Sequence, residues 1–146
     1  MSELALSLEI EAEIEMIHGS CHCGAVRWQF SNGIPESATA CNCTLCRRYG
    51  ALWAYDVEGE GINVSGPTKV YLRGKNWIEF HFCAVCGCVT YWRAVQPGED
   101  GRRRIAVNLR LTEPEAVARI PIHHFDGLVS LGGLPRDGRC VGDYWF

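Results

Sequence analysis

Cys21-His22-Cys23-Gly24, Cys41-Asn42-Cys43-Thr44-Leu45-Cys46 and Cys83-Ala84-Val85-Cys86-Gly87 hold seven of the nine cysteines of this chain, sorted as a two, a three and a two. A metal ion held for structure is closed by four protein ligands, whereas one that does chemistry keeps three and leaves a position for water or substrate. The outer pairs together make a closed set of Cys21, Cys23, Cys83 and Cys86, and the middle triplet of Cys41, Cys43 and Cys46 makes an open one. Two zinc ions per chain are therefore expected, one structural and one catalytic. Zinc is preferred to iron–sulfur because the sulfurs divide into a closed and an open set.

Local geometry supports the same division. Side chains at i and i+2 of a strand share a face, so Cys21 and Cys23 are expected to present both sulfurs in one direction. Cys83-x-x-Cys86 wraps a tight turn, and Gly87 after it permits the positive φ by which backbone N–H groups turn toward a thiolate. Gly24 can do the same after Cys23. Such donors matter because zinc with four thiolates is a buried dianion unless hydrogen-bonded. The middle triplet is followed by Arg47, Arg48 and Tyr49 instead of glycine. The two arginines are candidates to hold the carboxylates of an anionic thiol or to offset the charge at the metal, and the proton donor stays unassigned, with a zinc-bound water and Tyr49 as the candidates. The alternative is a fourth protein ligand, from Cys88, Cys140 or one of His18, His22, His81, His123 and His124, that closes this site too.

Working outward, strand-like alternation or β-rich composition marks residues 8–17, 25–30, 51–57, 69–73, 77–82, 88–92, 104–109 and 120–125. The architecture is mainly antiparallel β. One short helix is predicted over 113–119, with Thr112 and Glu115 at capping-box spacing and Pro114 near the first turn. Trp28, Trp53, Trp77 and Trp92 are expected in the core, and Cys88 is expected as a packed strand thiol. Cys140 receives no role. His123 and His124, adjacent on a strand, face opposite ways and form no chelating pair. Arg102-Arg103-Arg104 reads as a solvated loop leading into a strand.

At 146 residues the chain is read as one domain, 1–146. A net charge of -3 without a basic cluster gives no reason to expect nucleic acid or an anionic membrane as partner. The first seventeen residues lack a basic start, and glutamates interrupt their apolar positions, so they do not read as a signal peptide. No apolar run approaches a membrane span. A cytoplasmic location is expected, where clustered cysteines bind metal or catalyse more often than they pair as disulfides.

Three segments in order, His18-Gly19-Ser20-Cys21-His22-Cys23-Gly24-Ala25-Val26-Arg27, then Cys41 through Ala51, then Phe82-Cys83-Ala84-Val85-Cys86-Gly87, resemble the glutathione-dependent formaldehyde-activating family, which also includes centromere protein V. The resemblance implies that Cys21, Cys23, Cys83 and Cys86 hold the structural zinc and that Cys41, Cys43 and Cys46 hold the catalytic one. It implies a β-tent of antiparallel sheets stapled by the four-cysteine zinc, with 1–17 as an N-terminal strand extension, 18–125 as the family core and 126–146 as a tail. The activity it implies is carbon–sulfur bond formation or cleavage between glutathione and formaldehyde, giving S-(hydroxymethyl)glutathione. The chain is thus expected to be a carbon–sulfur lyase whose partners are a small thiol and an aldehyde. The competing class is a non-enzymatic zinc module for a protein or nucleic-acid partner, which a fourth protein ligand at the middle site would favour.

Overall fold

The computed structural model describes residues 16–144, so most of the acidic alternating segment 8–17 lies outside the described residues. The fold is mainly β. A three-stranded sheet has the order β1 (Ile17–Ser20), β2 (Arg27–Phe30), β5 (Ile62–Ser65). A seven-stranded sheet runs β10 (Ile122–Phe125), β3 (Ala38–Cys41), β4 (Trp53–Val57), β9 (Arg104–Asn108), β8 (Val89–Ala94), β7 (Ile78–Cys83), β6 (Thr68–Arg73). All pairings are antiparallel except β3 with β10, which run parallel and place Phe125 beside Cys41.

Strand alternation explains how one large sheet serves two purposes. On β4, β8 and β9 successive side chains point to opposite faces. Ala54, Tyr91, Ile105 and Val107 face the small sheet, where Ile17, Trp28, Phe30 and Ile62 complete the main core. Their neighbours Trp53, Trp92 and Ala106 point the other way and form a second buried cluster with Phe80, Cys43 and Cys46. The sheet is therefore buried on both faces around β8 and β9, and its second face carries the middle cysteines.

Two helices of one turn complete the picture, α1 (Cys46–Tyr49) and α2 (Pro114–Val117). The expected helix at 113–119 is present but shorter, and its N-cap is Glu113, without a side-chain cap, where Thr112 is expected. The Thr112 hydroxyl is instead buried, without a hydrogen-bond partner among the described residues. Trp28, Trp53 and Trp92 are buried as expected, but Trp77 is 73% exposed. The cause is a strand that begins one residue later than its composition suggests, leaving Trp77 in the turn between β6 and β7. Residues 126–144 are more than a tail: Phe125 bridges to Gly133, Pro121 bridges to Cys140, and Val141 is fully buried in the main core.

Candidate active site

Cys21, Cys23, Cys83 and Cys86 bring their sulfurs within 4.8 Å of one another, forming a group that could hold a metal ion. Sulfurs at the ends of zinc bonds of about 2.3 Å in a tetrahedron stand about 3.8 Å apart. Two of the separations here are 3.7 Å, Cys21 to Cys23, and 3.5 Å, Cys23 to Cys83. The donor set therefore fits tetrahedral zinc. Backbone amides serve the sulfurs as the glycine positions suggest: Val26 N–H donates to Cys21 Sγ (3.3 Å), Val85 N–H to Cys83 Sγ (3.4 Å) and Cys86 N–H to Cys83 Sγ (3.5 Å). Gly24 and Gly87 take φ of 83° and 79°, the left-handed region that glycine enters without steric cost. Backbone hydrogen bonds at Cys88 and Cys23 bring the Cys86 thiol down to about 5. One detail differs from the strand geometry expected for Cys21 and Cys23. They lie in the turn after β1, and the turn rather than strand alternation brings their sulfurs together. Cys88 packs partly buried against the main core.

The middle group is built differently. Cys41 ends β3, Cys43 lies in the following loop, and Cys46 opens α1. A helical turn draws them together, with Arg47 N–H donating to the Cys43 carbonyl (3.2 Å) and Cys46 N–H to Cys43 Sγ (3.2 Å). Their three sulfurs also lie within 4.8 Å of one another, and among the described residues no further His, Cys, Asp or Glu joins the group.

A second loop holds the first in place. Asn42 donates to Asp126 Oδ1 (3.2 Å) and accepts from Gly127 N–H (2.8 Å). Asp126 in turn accepts from the backbone N–H groups of Leu128, Val129 and Ser130. Gly127 lies so close to the cysteines that a Cβ on it would stand 2.6 Å from Cys41 Sγ and 2.9 Å from Cys43 Cβ. The Ser130 and Val129 amides hold the Asp126 carboxyl well below the usual carboxylate range.

The three sulfurs open on a cavity of about 630 Å³, whereas none of the outer four lines it. Its lining includes the aromatic side chains of Trp53, Tyr55, Trp77, Phe80, Trp92 and Phe125, and its charged side chains are Arg73, Lys75 and Arg104. Arg73 Nη1 donates to Cys43 Sγ at 3.0 Å. Burial pushes the Cys43 thiol up, but the backbone and side chain of Cys46, the Leu45 amide and Arg73 outweigh it and bring the thiol down to about 7. Burial raises Cys41 and Cys46 instead. One sulfur of the three is thus predisposed to be a thiolate before any cation arrives.

Several expected site residues are placed elsewhere. Arg47 and Arg48 are exposed on α1 and do not line the cavity, and Arg48 Nη1 donates to the Thr44 carbonyl oxygen (2.7 Å). Tyr49 does not line it either, whereas Tyr55 and His123 do. His124 points away and pairs with Asp137 (3.1 Å), in keeping with the opposite facing of the two histidines. Arg104 begins β9, where the expected strand over 104–109 starts, and sits 5.7 Å over the Trp92 ring.

Such an arrangement defines a class: a two-sheet β protein with one four-thiol group away from the cavity and one three-thiol group opening on it. Within that class, the profile of the family described as glutathione-dependent formaldehyde-activating enzyme matches residues 16–120, and the chain belongs to that family. A Halomonas elongata protein named "Putative glutathione-dependent formaldehyde-activating enzyme" is 30% identical over 81 residues, covering 49% of this chain and 52% of its own. The chain thus spans about half the length of that curated relative. A crystal structure of a Rhodobacter sphaeroides protein is similar with a TM-score of 0.54 and 26% identity, over 73% of this chain and 99% of that one. Among the described residues no helix is long and apolar enough to cross a membrane.

Proposed function

We propose that the chain is a zinc-dependent carbon–sulfur lyase that joins or separates a small thiol and an aldehyde, with glutathione and formaldehyde as the pair its family description names. The observation that carries this reading is the asymmetry of the two cysteine groups, four sulfurs away from the cavity and three opening on it. Cys21, Cys23, Cys83 and Cys86 would hold a structural zinc, and Cys41, Cys43 and Cys46 a catalytic one. When bound there, zinc lowers the pKa of a thiol and polarises a carbonyl oxygen.

The remaining work falls to the chain's own residues. The thiol enters the cavity beside Cys43, where Arg73 still has guanidinium N–H groups to spare for a carboxylate after donating to the sulfur. Arg73 therefore takes the anchoring role expected of Arg47 and Arg48, which face solvent. The thiol sulfur bonds to the aldehyde carbon as the carbonyl π bond breaks, the electron pair moves to oxygen, and that oxygen takes up the proton the thiol released. His123, on the cavity wall, is the imidazole that relays this proton; the reverse sequence cleaves the adduct. The test is the rate at which zinc-loaded protein accelerates exchange between glutathione, formaldehyde and their adduct, followed by NMR. Acceleration that disappears in Cys43→Ser supports the proposal; exchange at the uncatalysed rate with fully loaded wild type overturns it.

A further inference from the structure

The large sheet ends differently at its two edges. Beyond β10 the chain folds back over the edge, with Leu134 N–H donating to the His124 carbonyl (2.8 Å) and Ile122 N–H to the Arg139 carbonyl (2.9 Å). Beyond β6 no strand follows, and among the described residues no other segment hydrogen-bonds to its outer backbone. An uncovered edge is a template on which a further strand can pair. This edge is also apolar: Val70, Tyr71 and Leu72 are 44%, 53% and 48% exposed, and the exposed Trp77 follows in the next turn.

The register with β7 defines what such a strand must look like. Tyr71 and Arg73 stand beside Phe80 and Ile78 on the cavity side, and Lys69 shares their face. Val70 and Leu72 stand beside His81 and Glu79 on the other side. A matching strand therefore alternates strictly, with an apolar face for Val70 and Leu72 and an acidic face for Lys69 and Arg73. Lys69 is exposed and forms no ion pair with any described residue. A second β6 does not match: paired antiparallel about Tyr71, each Lys69 would face the Arg73 of the other copy.

The required pattern is written in the chain itself. Leu8, Ile10, Ala12, Ile14 and Met16 alternate with Glu9, Glu11, Glu13 and Glu15, and residues 8–15 lie outside the described residues. Between 8 and 17 there is no Gly, Pro, Asn, Asp or Ser, so the sequence supplies no turn at which it could double back onto its own β6. It runs instead straight into β1, which belongs to the small sheet. We infer that the open edge of β6 binds the acidic segment 8–15 of a second copy of this chain, its apolar residues against Val70 and Leu72 and its glutamates beside Lys69. The exchange is reciprocal and closes a two-fold dimer. Each added strand then carries its glutamates on the cavity side of the sheet.

Sedimentation velocity on the purified full chain should show a dimer at micromolar concentration. Ala12→Pro removes a backbone donor from the middle of the added strand and should weaken association at least about tenfold. Lys69→Glu sets like charges across the new pair and should weaken it by about as much, with a smaller penalty in high salt. A carbodiimide, which joins touching ammonium and carboxylate groups, applied to an equilibrated mixture of unlabelled and isotope-labelled protein, should give links from Lys69 to the segment 8–15 that carry one label of each kind. Circular dichroism melts identify a variant that fails to fold; if Lys69→Glu does, Ala12→Pro and the mixed-label links decide alone. A monomeric wild type, or a dimer unmoved by Ala12→Pro, overturns the inference. Links confined to single chains also overturn it, because they would place the segment on its own β6.

Discussion

The two cysteine groups of this molecule use the same ligand atom and differ in everything around it. The outer four come from two turns more than fifty residues apart, at Cys21–Gly24 and Cys83–Gly87, and join the small sheet to β7 of the large one. The middle three come from one short loop, and a partner loop at Asp126–Ser130 braces them beside a cavity. A group that links distant segments contributes to folding when it binds metal, whereas a local group can gain or lose its metal within a finished fold. On the proposed function, what separates a structural from a chemical site is therefore the span of chain a cysteine set closes and the space it faces.

The strongest attempt to break that comparison removes one sulfur from each group. Cys21→Ser or Cys86→Ser should lose most of the fold, because structural zinc binding is worth on the order of 10 kcal/mol and a typical domain has only about 5–15 to lose. Cys43→Ser should unfold near the wild-type temperature while holding less metal. Thermal unfolding followed by circular dichroism, with elemental analysis, distinguishes them, and equal losses would erase the contrast.

A smaller effect sharpens it. Gly127→Ala places a methyl group 2.6 Å from Cys41 Sγ. Overpacking of this kind costs about 1–3 kcal/mol, and it should lower metal occupancy at the middle group while leaving the outer group loaded. Alanine there with full metal content would mean that the brace is dispensable.

Acid should separate the brace from the rest of the molecule. The Asp126 carboxyl is depressed below its ordinary 3.8 by backbone and side-chain donors. A depressed carboxyl contributes stability at pH values above 3.8, and that contribution is lost as pH falls through the lower folded-state value. Asp126→Asn should therefore narrow its stability gap from wild type as pH falls below 3.8, and a constant gap would show that the charge at Asp126 is irrelevant.

The mildest expected effects concern the arginines. Arg73→Ala should weaken an acidic thiol such as glutathione about tenfold relative to a neutral thiol, on the scale of one charge-assisted hydrogen bond. Replacing Arg47 and Arg48 together should change neither, as both face solvent. Calorimetry with matched acidic and neutral thiols measures both arms, and the opposite ranking would return the anchor to α1.

The parts of this account legible in the sequence were those set by local spacing. Each cysteine cluster is marked by steps of two or three residues, the joining of the two outer pairs follows from their count, and β7, β8 and β9 show their alternation directly. β3 is not legible because Ala38-Thr39-Ala40-Cys41 offers small residues without a polar face; β1 meets the expected 8–17 only at Ile17, and β5 is missed although β2 and β10, equally short, are found. The cavity's cations come from the end of β6, the β6–β7 turn and β9, brought beside the cysteines by strand pairing that no local spacing records. The Asn42–Asp126 brace spans 84 residues. Its one visible trace was an Asn between two cysteines and an Asp-Gly pair directly after β10.

The central claim, one closed and one open zinc, is tested most directly by zinc absorption spectroscopy on protein whose metal content has been counted. Two zinc per chain with an average of three and a half sulfurs each, four at one site and three at the other, is the predicted result. A single zinc per chain, or four sulfurs around both, would contradict it.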